Sequence, residues 1–213
     1  MNVLSARQEI LLHAIGGSEL GGDFFLTGGT ALSAFYLQHR VSEDLDFFTE
    51  NPAAVTGALP ILLKLAQDLN GEVQVKRSFR TYLELLFKLE GELIRCDFAQ
   101  DSPYRLSDRV FNYNYGIYVD NALDIACNKL SALYDRAEPK DFVDVYFIDK
   151  ELFPLASILE SARKKHVGID DYWLSVAFLE VNKVTFLPKL LKPVNISELR
   201  TFFEREARKL MSK

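Results

Sequence analysis

Cysteine is nearly missing from this 213-residue chain: Cys96 and Cys127 are its only two. Each sits among apolar residues, and neither has a partner at metal-site spacing, which argues against a disulfide framework and against a zinc site. Two buried, reduced thiols in a cytoplasmic protein are the expectation. Long apolar runs are missing as well. No stretch approaches the run of about 20 residues that crosses a bilayer. Met1 to Ile10 carries Arg7 and Glu9 in an amphipathic pattern, so it lacks the basic start and apolar block of a signal peptide. No membrane partner is expected. Excess positive charge is absent too: the net charge of −5 argues against a general affinity for nucleic acid. That total hides an asymmetry, because residues 183–213 carry eight Lys or Arg and three Glu, leaving −10 for residues 1–182. A basic tail of this kind reads first as a solvated helix face.

Internal repeats, low-complexity tracts and long Pro/Gly/Ser linkers are also lacking. What is present is a hydrophobic content of 48%, enough to bury a sizeable core. An opening helix is expected over residues 4–15. A short strand over 23–27 runs into Gly28-Gly29, followed by a helix over 30–38. A second strand spans 44–49, and a helix runs from Pro52 to about Leu69. Strands follow at 72–77, 81–90 and 92–99; in the second, Leu83, Leu85, Phe87 and Leu89 share one face. From Asp120 the period becomes helical, with helices at 121–136, 139–149, 154–165, 170–182 and 196–211. Strands first and helices later give an α+β fold: a mixed-sheet core over 1–118 and a helical region over 119–213.

The chemistry concentrates in three places. A strand that passes through Gly28-Gly29 into a helix presents bare backbone amides to an anion, although a tight turn alone needs no ligand. Asp44 and Asp46 stand two apart on a strand, so both project from one face while Leu45 and Phe47 point to the core. Like charges so close repel one another, and a divalent cation removes the conflict; hard carboxylate oxygens suit Mg²⁺, which also takes oxygens from substrate phosphates. Asp97 lies on the polar face of a later strand with Arg95, and could complete a metal clamp or act as a base; a surface Arg–Asp ladder explains it equally well. Arg40 could contact phosphate, and Ser42 lies on the aspartate face, within reach of a nucleotide. With Gly28, Gly29 and Thr30 they form the candidate nucleotide-binding set.

The order of strand, Gly-Gly, helix, Asp-x-Asp strand and later strand aspartate resembles the nucleotidyltransferase fold of the polymerase beta type. The string Leu26-Thr27-Gly28-Gly29-Thr30-Ala31-Leu32, then Tyr36-Leu37, His39-Arg40, Ser42 and Asp44-Leu45-Asp46-Phe47-Phe48, more specifically resembles the AbiEii/AbiGii family of nucleotidyltransferase toxins. Lys129-Leu130-Ser131-Ala132-Leu133 with Arg136, and Lys140-Asp141-Phe142-Val143-Asp144-Val145-Tyr146, are similar to that family's lysine helix and its Arg/Lys-Asp-x-x-Asp helix. The match runs from about residue 24 to 149.

Read from the residues alone, Lys129 interrupts an apolar stripe between Ile125 and Leu133, so it either snorkels or reaches a cleft as a point charge. Asp141, just after Pro139, is stabilised by the helix dipole and needs no function. The resemblance favours Asp144 as the partner of Lys129. His39 reads as structural, and Tyr113, Tyr115, Tyr118 and Trp173 as core packing rather than base-stacking groups. The resemblance implies a magnesium-dependent transfer of a nucleoside monophosphate from a triphosphate to RNA, most plausibly the 3′ end of a tRNA. Asp44 and Asp46 would hold the metal, Lys129 would face the triphosphate, and Asp97 or Asp144 would orient the acceptor. It also implies a cognate antitoxin. Two rivals are a small-molecule nucleotidyltransferase of the aminoglycoside-modifying kind and a non-catalytic nucleotide-binding module.

Overall fold

Ser5 accepts a hydrogen bond from the Gln8 amide, and the Gln8 side chain returns one to the Ser5 amide. This reciprocal cap starts the first helix of the computed structural model, which describes residues 2–212. Two compact units follow: Asn2–Ala34 with Ser42–Asn121, and Phe35–Val41 with the chain from Ala122 onward.

The first unit is built on seven strands: β1 (Phe25–Thr27), β2 (Leu45–Thr49), β3 (Glu72–Phe79), β4 (Tyr82–Leu89), β5 (Glu92–Gln100), β6 (Val110–Asn112) and β7 (Ile117–Val119). They form one mixed sheet in the order β3-β4-β5-β2-β1-β7-β6. β2 runs parallel to β5 and β1 parallel to β7, while the remaining pairs are antiparallel. Its apolar face carries Leu45, Phe47, Leu85, Phe87, Cys96 and Phe98, all fully buried. Helix α1 (Ala6–Gly16), the short α2 (Leu20–Asp23) and α4 (Ala54–Asp68) belong to this unit; α4 buries Val55, Ala58 and Leu62 and packs on β3, β4 and β5.

Two expectations about local structure shift here. Residues 20–23 wind into helix, so the strand expected over 23–27 starts at Phe25. The helix expected from Thr30 begins at the glycines instead, as α3 (Gly28–Ala31), and widens into a π-helical stretch over Leu32–Leu37. Gly28 has φ +70°, a left-handed conformation open to glycine at no steric cost, and this lets the chain turn from strand to helix within one residue.

The second unit contains α5 (Ala122–Arg136), α6 (Pro139–Glu151), α7 (Leu155–Lys165), α8 (Asp171–Leu179), a 3₁₀ turn (Glu180–Lys183) and α9 (Ile196–Met211). Pro139 takes the first turn of α6, where its missing N–H costs nothing. Asp170 caps α8, and Asn195 with Glu198 forms a capping box on α9. Phe203 stands at its centre, edge-on to Phe142 at 4.9 Å and to Phe178 at 5.3 Å, an arrangement aromatic rings prefer. Both cysteines are buried and free. Among the described residues, no helix is long and apolar enough to cross a membrane.

Candidate functional site

β2 alternates buried and half-buried residues along its length. Leu45 and Phe47 enter the core, which leaves Asp46 on the opposite, polar face; Asp44 lies one residue before the strand begins. Pairing then decides what Asp46 faces. On one side its partner is Thr27 of β1, and on the other it is Asp97 of β5. Asp97 in turn lies opposite Glu84 of β4, and Glu84 opposite Arg77 of β3. Adjacent strands lie about 4.8 Å apart, so one row crosses five strands: Thr27, Asp46, Asp97, Glu84, Arg77. Charges in this row are partly compensated. Arg95 Nη2 sits 3.0 Å from Asp97 Oδ2, Arg95 Nε 3.4 Å from Glu84 Oε1, and Arg77 Nε 3.2 Å from Glu84 Oε2. Burial nevertheless raises the Asp97 carboxyl above its ordinary range, against the pull of Arg95. The Cys96 thiol is pushed well above its ordinary value by burial and by the fields of Asp97, Asp46 and Asp44. It is therefore an inert thiol, and it registers the three aspartates as one concentration of negative charge.

The glycine turn interlocks with this acidic face. A methyl group on Gly28 would run into the Asp46 carboxylate, so the absence of a side chain there is what lets Asp46 stand against the turn. The Thr30 hydroxyl donates to the backbone carbonyl of Asp44. Thr27 occupies the N-cap position of α3, where threonine commonly caps with its own oxygen, yet it makes no such bond. Its hydroxyl instead donates to Asp120 Oδ2 at 2.9 Å. Asp120 is buried, and its Oδ1 accepts from the Arg105 guanidinium and from the Asn121 amide. On the other flank, the buried Gln8 side chain donates to the carbonyls of Ser42 (3.1 Å) and Glu43 (3.0 Å), fixing the approach to Asp44. Ser42 is itself buried. Asp46 supplies hard oxygens beside a turn with no side chain, and Asp44 lies two residues before it, at the entry to β2. This open donor set fits Mg²⁺, which needs one or two carboxylates and leaves other positions to water and substrate phosphates. Among the described residues no group of three or more His, Cys, Asp or Glu forms a metal site.

A second cluster lies in the helical unit. The Asp144 carboxylate, fully buried on α6, receives His39 Nε2 at 2.7 Å, Arg40 Nε at 2.6 Å and Nη2 at 2.9 Å, and Lys129 Nζ at 2.8 Å. Burial alone would raise the Asp144 carboxyl, but Lys129, Arg40 and the hydrogen bonds outweigh it and hold the group well below the usual range. The His39 pKa is lowered as well, here by burial acting against the pull of Asp144, so the neutral ring donates its Nε2 proton. With His39 neutral, the cluster holds two cations and one anion, a positive surplus in a water-poor setting.

The sequence-derived set thus divides between the units. Gly28, Gly29, Thr30, Ser42, Asp44, Asp46 and Asp97 lie in the sheet unit, and Arg40, Lys129 and Asp144 in the helical unit. The structure joins the last three through Asp144 and adds His39 to them. Asp141 pairs instead with Arg136, at 2.8 and 2.9 Å, across the α5–α6 corner. Three of the aromatic residues expected in the core are a correction: Tyr113 is 89%, Trp173 60% and Tyr118 38% exposed. Tyr113 sits in the β6–β7 turn and Trp173 in the first turn of α8, positions that face water. Tyr115 packs on His13 at 4.7 Å. Gln8, Thr27, Glu84, Arg105 and Asp120 escaped the sequence reading. Gln8 carried a local signal as the third helical residue of a capping box, but that signal marks the helix start and not its bonds to Ser42 and Glu43.

Comparison with known proteins gives a consistent result. The family model for the nucleotidyl transferase AbiEii toxin of type IV toxin–antitoxin systems matches residues 9–213. Protein aq_aa25 of Aquifex aeolicus is 30% identical over 173 residues, spanning 80% of this chain and 79% of that protein. A candidate nucleotidyltransferase from H. pylori shares the fold with a TM-score of 0.64 at 19% identity, over 98% of this chain and 96% of that one. MenT4, a nucleotidyltransferase toxin from Mycobacterium tuberculosis, superposes with a TM-score of 0.57 at 16% identity, covering 97% of this chain and 82% of its own.

Proposed function

The chain belongs to the AbiEii nucleotidyltransferase toxin family of type IV toxin–antitoxin systems, and from that premise we propose that it transfers a nucleoside monophosphate to the 3′ end of a tRNA. Family membership implies a nucleoside triphosphate as substrate and a cognate antitoxin as partner. In the proposed reaction the acceptor hydroxyl oxygen bonds to the α-phosphorus, the bond from that phosphorus to the β-phosphate bridge breaks, and pyrophosphate leaves. Magnesium, when bound, neutralises phosphoryl oxygens and lowers the pKa of the attacking hydroxyl. Asp44 and Asp46 would hold it. Gly28 and Gly29 give the triphosphate side-chain-free backbone to lie against, with Thr30 tying that turn to Asp44. Asp97, in register with Asp46, orients the acceptor hydroxyl and takes its proton. Within the helical unit, Asp144 acts as a positioning residue that holds His39, Arg40 and Lys129, the last of which the family resemblance assigns to the triphosphate. Catalysis of this type is mostly placement and charge compensation. The blocked acceptor end would stop translation and growth, in the cytoplasm where tRNA is used.

The observation that carries this reading is the cross-strand register of Asp46 with Asp97 behind a glycine turn where a Cβ would displace the Asp46 carboxylate. Each α-labelled triphosphate, incubated with Mg²⁺ and total tRNA, gives the test. Label should reach tRNA with one or more triphosphates, and fall by on the order of 10³-fold, about 4 kcal/mol, in Asp44→Ala/Asp46→Ala. Undiminished label in that variant would remove the aspartates from the reaction.

A further inference from the structure

The β3–β4 hairpin is a basic, aromatic stretch in a sheet unit and a chain of net negative charge. Residues 74–82 hold Lys76, Arg77 and Arg80 and no carboxylate, whereas the whole chain carries −5. Phe79 and Tyr82 are interleaved with these cations, and they face each other across the hairpin. β3 is an edge strand of the sheet, with all its residues but Val73 exposed. Phe79 is 64% exposed at the strand end, and the Arg77 side chain is 66% exposed although it touches Glu84.

What sets this hairpin apart from an ordinary solvated strand is its register. Cross-strand partners share a face, so Arg77 continues the row Asp46, Asp97, Glu84, and Phe79 and Tyr82 lie two residues along from Arg77 and Glu84 on that face. Three strand spacings, about 14 Å, separate Asp46 from Arg77. An extended polynucleotide crosses that distance in a few nucleotides. Exposed aromatic faces that stack bases, beside guanidiniums and ammonium groups that meet phosphates, are how single strands are held without sequence readout. Arg77 and Arg95 partly compensate Glu84 and Asp97, which limits their repulsion of a phosphate chain.

We propose that the β3–β4 hairpin seats the single-stranded 3′ end of the RNA acceptor, with Phe79 stacking a base and Lys76, Arg77 and Arg80 meeting the phosphates behind the reacting nucleotide. This rests on the reading of the acceptor as RNA and adds where the strand lies. A duplex or a protein partner would not need a stacking face two residues from the acidic row.

The test uses the full chain with Lys76→Ala/Phe79→Ala/Arg80→Ala, three exposed positions, and leaves Arg77 in place because it supports Glu84. The probes are a short fluorescent single-stranded RNA with a free 3′-hydroxyl, for anisotropy at several salt concentrations, and total tRNA with labelled triphosphate, for transfer. The triple variant should keep the thermal midpoint and the triphosphate affinity of the parent. It should bind RNA at least about tenfold more weakly, and lose roughly 1.4 from the slope of log affinity against log salt, for two phosphate contacts on a single strand. Parent-like RNA affinity and slope, with transfer to tRNA intact in both proteins, would overturn the hairpin proposal and leave the RNA-acceptor reading standing. A parent that binds triphosphate but neither binds nor labels RNA would overturn that reading, and the hairpin proposal with it.

Discussion

A methyl group placed on Gly28 meets two obstacles. The backbone there is left-handed, at φ +70°, which costs a residue with a Cβ about 1–2 kcal/mol. The methyl also lands on the Asp46 carboxylate and must displace it. Gly28→Ala is therefore expected to lose about 1–2 kcal/mol of stability and, separately, on the order of 10²-fold in turnover, as read by urea denaturation and by the labelling assay. Parent-like turnover in that variant would mean that Asp46 need not stand where it does. A neighbouring contact gives a second test. Thr27→Val keeps the shape of the side chain but deprives the buried Asp120 Oδ2 of a donor, a loss of about 1–3 kcal/mol, while Thr27→Ser restores the hydroxyl. If the two variants denatured alike, the Thr27–Asp120 bond would have no part in holding the turn. At this scale the aspartate pair was legible because a strand repeats every two residues and Leu45 and Phe47 mark the buried side. Asp120 and Gln8 were not, since their partners lie 93 and 34 residues away along the chain. No local pattern encodes such a contact.

The segment Phe35–Val41 brings His39 and Arg40 to α6, and α5 brings Lys129 to the same carboxylate. Lys129 lies between Ile125 and Leu133 on a helix face that is otherwise apolar, which read as a misfit in sequence; Asp144 resolves it. Removing the anion strands two cations in a buried place. Asp144→Asn is expected to cost about 3–5 kcal/mol. The pH dependence has a definite sign. Asp144 and His39 both have lowered folded-state pKa values, so the unfolded chain takes up protons at each of them first. His39 contributes fully above its unfolded value of about 6.5 and loses its contribution as pH falls from there; Asp144 does the same below about 3.9. Urea midpoints followed by circular dichroism should thus decline on acidification from pH 7.5 to 5, with a shallower decline in His39→Gln. An identical slope in the two proteins would show that the ring is not kept neutral by folding. Most elements were legible from period and punctuation: β4 and β5 by alternation, the five later helices by apolar spacing and their prolines. β6 and β7 were not, because three residues hold no measurable period. The π-helical stretch after Ala31 has no sequence signature of its own.

At the scale of the whole chain, the order of elements and the Asp-x-Asp string point to the family, and the family match over residues 9–213 agrees. The strand order was another matter. Placing β2 between β1 and β5 is what sets Asp97 beside Asp46, and it follows from parallel pairing between strands separated by a helix and a hairpin. Sequence pattern shows that each strand has a polar face but not which strand lies next to which. The central claim, that a nucleoside monophosphate is added to the 3′ end of tRNA, is tested most directly by comparing intact tRNA with tRNA whose terminal ribose has been oxidised by periodate. Both are incubated with the chain, Mg²⁺ and α-labelled triphosphates. The account predicts label on intact tRNA alone, since oxidation destroys the acceptor hydroxyl. Equal label on both RNAs, or label on a small aminoglycoside and on neither RNA, would contradict it.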